Sequence, residues 1–159
     1  MTKDRDFQRN SFYTWEDARF HGKAITKLNT LTPEQCTAFV EDICRCYNVD
    51  VPRMEYPNSL SMHSKYLVRL GQPSIHLYDW ARTRACVIHE TAHHINYRLG
   101  AGSGHGPEYV AIFAYLISEY MSIPLYEIRH KASLAGLKLA PTSPQFEERP
   151  NSAFVKRYC

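Results

Sequence analysis

Apolar residues change their period twice along the 159-residue chain, and each change marks a new kind of element. Residues 5–20, RDFQRNSFYTWEDARF, place Phe12, Trp15 and Arg19 at three- and four-residue steps, which predicts a first helix. Thr32 then offers an N-cap, Pro33 a first helical position and Gln35 the third residue of a capping box. The helix they open should run to about Tyr47, with Cys36, Phe39, Val40, Ile43 and Tyr47 on its inner face. In the middle of the chain the helical period is lost. VPRMEYP (51–57), SMHSKYLVRLG (61–71) and PSIHLYDW (73–80) are short, rich in β-branched or aromatic residues, and bounded by Pro, Asn, Ser or Gly, so three strands are expected. From Thr83 the helical period returns and holds to Leu99, where GAGSGHG, with four glycines in seven residues, must break it. Pro107 and Glu108 suit the first turn of a following helix, and PEYVAIFAYLISEYM is apolar almost all round, as a helix central to the core would be. A last helix is expected from about Pro124 to Leu137, buried along Leu125, Ile128, Ala132 and Ala135. The fold class read from this order is α+β: N-terminal helices, a small sheet of about three strands, a histidine-bearing helix and C-terminal helices. Residues 1–140 are expected to form a single domain, and 141–159, with three prolines between 141 and 150, an extended or mobile tail.

Composition narrows the reading. Apolar residues at 44% and charged residues at 22% are ordinary for a globular chain, and the length suffices for a core without disulfides or a structural metal. The net charge of +3 is small and its cations are scattered, so charge gives no positive argument for nucleic acid as a partner. Five cysteines without paired spacing, behind a polar start, suggest a reduced cytoplasmic protein; Cys44 and Cys46 form a lone C-x-C, too little for a thiolate zinc site. The longest apolar run has eight residues, VAIFAYLI, so no membrane span is expected.

The chemistry gathers in HETAHHINYRLGAGSGHGPEY, residues 89–109. On a helix from Thr83, the residues Ala85, Ile88, Ala92, Ile95 and Leu99 share a sector of about 80° and form the packing stripe. His89 and His93 lie beside it, about 40° and one turn apart, where two imidazoles can converge on one ion at about 2.0 Å. Glu90 lies further round the same side, within reach of a water at that ion. His94 points about 100° away from His93 and is expected to face solvent or a layer behind the site. A hydrolytic zinc needs three protein ligands and an open position, and His105 is the candidate third. The chain travels about 9 Å beyond His93 by Leu99, after which residues 100–104 can span about 16 Å and turn back. Cys86, one turn before His89, would be the fourth donor of a closed structural site, although packing explains it better. Glycines after a helix, without a following Lys-Ser or Lys-Thr, argue against a phosphate loop.

HExxH followed by HGPEY resembles the SprT and Spartan class of zinc metallopeptidases over about 25 residues. The resemblance implies zinc on His89, His93 and His105 with Glu90 as base. From RDFQRNSFYTWED through IHLYDWARTRACVIHETAHH to the helix after HGPEY the chain is also similar to a small uncharacterised family of metallohydrolases found in actinobacteria and their phages, which implies a zincin-like fold and no particular substrate. The additional basic, zinc-binding or DNA-binding elements of the Spartan proteins that act on DNA-crosslinked proteins are missing from these 159 residues, so the DNA-repair role is not implied.

The expected function is a zinc-dependent metallopeptidase acting on a peptide or protein substrate. Two other readings stand beside it: a zinc amidohydrolase with a non-peptide substrate, and a non-catalytic DNA-associated or regulatory protein with structural zinc. Tyr97, four residues past His93, could donate to an oxyanion or merely pack; Glu108 could orient His105 or merely favour its helix N-terminus. An extended peptide could add to PSIHLYDW if that strand has a free edge.

Overall fold

The computed structural model describes residues 6–20, 30–58 and 64–141. Among them are five α-helices and a three-stranded sheet: α1 (Arg9–Phe20), α2 (Pro33–Cys46), β1 (Arg53–Glu55), β2 (Lys65–Arg69), β3 (Gln72–His76), α3 (Arg84–Arg98), α4 (Pro107–Met121) and α5 (Leu125–Leu134). The α+β class follows. The expected tail lies outside the described residues except for Pro141. Internal contacts gather into two compact units, one of the described residues 6–15 and 104–141, the other of 16–20, 30–58 and 64–103. The division falls within α1.

In the second unit, α2 begins as its sequence requires. Thr32 Oγ1 accepts from the Gln35 backbone N–H, and the Gln35 side chain accepts in return from the Thr32 N–H, closing the capping box ahead of Pro33. Cys36, Phe39, Val40, Ile43 and Cys44 are buried along it. The sheet runs β1-β3-β2, with β1 parallel and β2 antiparallel to β3. Arg53 stands opposite Ser74 in the first pair and Tyr66 opposite Ile75 in the second. Leu70 and Gly71, both at positive φ, make the two-residue turn of the β2–β3 hairpin. PSIHLYDW stops being a strand at His76, and Asp79–Ala81 form one 3-10 turn. Moreover β3 is the central strand with both edges paired, so a peptide cannot add there.

Helix α3 packs on β2, β3 and α2. Thr83 caps it, its Oγ1 accepting from the Cys86 N–H. Every residue from Ala85 to Asn96 is buried, polar ones included, so the predicted single stripe understates its enclosure. The stripe also ends early: Leu99 is 48% exposed, because the helix has already terminated there. The termination is a Schellman motif, in which Gly100 N–H donates to the Tyr97 carbonyl at 3.0 Å and Ala101 N–H to the Asn96 carbonyl at 3.0 Å. Gly100 and Gly102 take φ of 79° and 92°, the left-handed backbone that glycine adopts without a Cβ penalty.

In the first unit α4 packs on α5. Pro107 opens α4, and nine of its side chains from Tyr109 to Tyr120 are buried, as its apolar circumference predicts. Helix α5 is shorter than expected. It stops at Leu134, a second Schellman closure sends the Leu137 N–H to the Ala132 carbonyl, and Leu137 rather than Ala135 reaches the interior. A Cβ at Gly100 would meet nothing within 4 Å, so Gly100→Ala should act through the backbone alone. Urea unfolding is expected to show a loss of about 1–2 kcal/mol; an unchanged midpoint would mean that this turn relaxes out of the left-handed region.

Candidate functional site

Helix α3 brings His89, Glu90 and His93 together in the second unit, as their spacing predicts. The two Nε2 atoms of His89 and His93 lie 3.2 Å apart. Two zinc–nitrogen bonds of 2.0–2.1 Å at a tetrahedral angle put their nitrogens about 3.3 Å apart, so the pair already has the spacing of two ligands on one ion. Their orientation is set from behind. His89 Nδ1–H donates to both carboxylate oxygens of Glu16, at 2.8 and 3.0 Å, and Glu16 is itself buried. A carboxylate on Nδ1 holds the proton there and leaves the Nε2 lone pair for a metal, the arrangement common to zinc-binding histidines.

Glu90 is 3% exposed, and Ser64 Oγ donates to its Oε1 at 2.6 Å. Burial pushes the Glu90 carboxyl up from its ordinary range; neighbouring His89, the Ser64 hydroxyl and the Tyr66 backbone amide oppose that rise, while the like charge of Glu16 adds to it. The net direction, upward, is that required of a carboxylate exchanging protons near neutral pH.

His105 belongs to the first unit, where its support is analogous. Its Nδ1–H donates to Asp6 Oδ1 at 2.8 Å, and its backbone N–H donates to the same oxygen at 3.0 Å. Burial disfavours the charged form of Asp6, but these two hydrogen bonds and the charges of His105 and Arg9 outweigh it and hold the carboxyl below its ordinary range. The rings of Tyr109 (4.8 Å), Tyr13 (4.9 Å) and Phe12 (5.2 Å) enclose the imidazole and restrict its rotation. The acceptor on His105 Nδ1 is thus Asp6; Glu108 is exposed in the first turn of α4. Neither Asp6 nor Glu16 was legible as a histidine partner, since they stand 99 and 73 residues from the rings they hold. A carboxylate in the N-terminal stretch has no local signature of that role.

His94 does not face solvent. It is fully buried at 0% exposure, with Nε2 2.7 Å from the Asp50 carbonyl and Nδ1 3.3 Å from the Tyr66 hydroxyl. The carbonyl can only accept, so Nε2 carries the proton and the Tyr66 O–H donates to Nδ1. Burial lowers the His94 pKa, outweighing the pull of the Asp50 carbonyl, which keeps the ring neutral. The Tyr66 ring in turn lies parallel to the His93 ring at 6.3 Å, and Tyr97, half-buried, meets Tyr66 at 6.2 Å. The turn leading toward His105 is tied down by Asn96, whose Nδ2 donates to the Gly102 carbonyl at 3.0 Å. Cys36 and Cys44 are buried thiols pushed up to about 12 by desolvation, which suits packing rather than ligation.

No family model, curated protein or solved structure matches the chain.

Removing the carboxylate behind either imidazole frees its ring and tautomer. Glu16→Ala and Asp6→Ala are each expected to weaken zinc binding about 10- to 100-fold in a chelator competition; affinities equal to the parent's would show that the carboxylates do not orient ligands. With thiols held near 12, Cys36 and Cys44 should also resist iodoacetamide in the folded chain at about pH 8, and be modified only after unfolding in urea, as read by peptide mass.

Proposed function

We propose that the protein is a zinc-dependent hydrolase of the HExxH type, acting on peptide bonds. The observation that carries this reading is that the buried His89 and His93 bring their Nε2 atoms within 3.2 Å of each other beside the buried Glu90, while His105, in its own unit, is braced through Nδ1 on Asp6 as His89 is on Glu16. The donor set suits the ion. Three imidazoles, two of them with Nδ1 engaged by carboxylates, would make an all-histidine set with a fourth position left for water or substrate. When bound, zinc would supply Lewis acidity and bring the pKa of water toward about 7.

The chain's own residues supply the rest. Glu90, next to His89 and sheltered from bulk water, takes the proton of the attacking water and delivers it to the leaving amine, general base and then general acid in one turnover. Glu16 and Asp6 hold the ligand rings in the required tautomer. Strand β2, at the edge of the sheet and packed on α3, pairs only with β3 among the described residues, so its other side offers main-chain groups to an extended peptide. That edge replaces the one on β3, which is occupied. The resemblance of HETAH and HGPEY to the SprT and Spartan class supports the same reading. No helix among the described residues is long and apolar enough to cross a membrane.

Metal analysis should find one zinc per chain, and His105→Ala should lose stoichiometric zinc. With fluorescent casein and a mixed peptide library as substrates, Glu90→Gln is expected to keep its zinc and fold and lower kcat by a factor of about 10²–10⁴. Retained zinc with no hydrolysis by the parent chain of casein, peptides or small amides would identify the ion as structural; cleavage of small amides alone would point to a non-peptide amidohydrolase.

A further inference from the structure

Glu90 is held by a residue that lies outside HETAHH and HGPEY. Ser64 stands immediately before β2, 26 positions from Glu90, and its hydroxyl reaches the Glu90 carboxylate at 2.6 Å. That length is typical of an O–H donor on an ionised carboxylate, about twice as strong as a neutral pair. The Ser64 bond therefore determines more than local packing. A glutamate side chain has three rotatable torsions, and a base that must meet its proton at hydrogen-bond distance gains from having them fixed beforehand. On α3 the Glu90 backbone is rigid, but its carboxylate can still rotate about the terminal torsion. Ser64 stops that rotation by engaging Oε1. The Tyr66 backbone amide is a second donor to the same carboxylate, and since a carboxylate offers about four lone-pair sites, two donors leave capacity for the proton in transit.

We infer that Ser64 is a positioning residue of Glu90, clamping Oε1 from the position just before β2 so that the carboxylate's remaining lone pairs are presented for proton exchange. The inference rests on the hydrolase reading for its catalytic consequence, and on the Ser64 to Glu90 contact alone for its structural part. It also gives the sheet a role. The strand that offers an edge to a peptide is preceded directly by the hydroxyl that aims the base, so a substrate seated along β2 and the group that activates its attacker share one support.

The test uses the full chain. In the zinc-loaded enzyme Ser64→Ala should keep one zinc per chain and an unchanged KM for a peptide substrate while kcat falls about tenfold. Ser64→Thr, which retains the hydroxyl, should recover most of kcat; loss of packing alone would not be rescued in this way. A readout independent of activity is a cycle of Ser64→Ala, Glu90→Ala and the double variant in the metal-free chain, followed by urea unfolding. The folding equilibrium constant of the double variant should depart about tenfold from the product of the single effects. An additive cycle, or a Ser64→Ala enzyme as fast as an active parent, overturns the role of Ser64 and leaves the hydrolase reading standing. A parent chain that binds zinc and hydrolyses nothing overturns the hydrolase reading and with it the catalytic half of this inference, while a coupled cycle would still establish the clamp.

Discussion

The hydrogen bond from His89 Nδ1 to Glu16 is the constraint on which the arrangement turns. Imidazole is a ligand only through a nitrogen that carries no proton, and in a buried ring the proton must be kept on the other nitrogen by a partner. Glu16 does this for His89 with both oxygens, and Asp6 does it for His105 through one oxygen that also takes the His105 backbone N–H. In each case the carboxylate comes from the N-terminal stretch of the described chain, residues 6–20. The HExxH motif is therefore only half of the candidate site as a physical object.

Helix α3 carries an unusual density of polar groups for an element buried on all sides. Unpaired, each would carry a cost of several kcal/mol, of the order of 2–7 for a neutral group and more for a charge. Several are matched by specific partners. Thr91 Oγ1 donates to the Val87 carbonyl, His94 bridges the Asp50 carbonyl and the Tyr66 hydroxyl, and Glu90 accepts from Ser64. Tyr66 near the start of β2 and Ser64 immediately before that strand serve α3 from the same side of the chain's turn into the sheet. The sheet is small, yet it supplies partners that let a helix of histidines be buried.

The turn after α3 is fixed in the same way, by specific partners. A Schellman closure at Gly100 satisfies the last carbonyls of the helix, and Asn96 then binds Gly102, so the chain leaves the helix in a defined direction. The glycines there serve the backbone and not a phosphate. Their sequence pattern alone suits either use, and the helix that precedes them decides between the two.

Much was legible in the residues themselves. The capping box at Thr32, the helices on either side of GAGSGHG, the three strands, and the pairing of His89 with His93 follow from local rules: side-chain periodicity, capping chemistry and one helical turn of spacing. What remained hidden depends on residues far apart in the chain. Burial of His94 arises because tertiary packing encloses α3, while Leu99 and Ala135 leave the interior because Schellman closures end α3 and α5 before the periodic stripe does. The order β1-β3-β2, which pairs both edges of β3, could not be read from three strands of similar composition. The sequence by itself determined which imidazoles share a helical face, since about 3.6 residues per turn leaves no freedom there; only the tertiary structure decided which carboxylates and which hydroxyl stand behind them, because a hydrogen bond across 26 to 99 residues leaves no periodic trace in the chain.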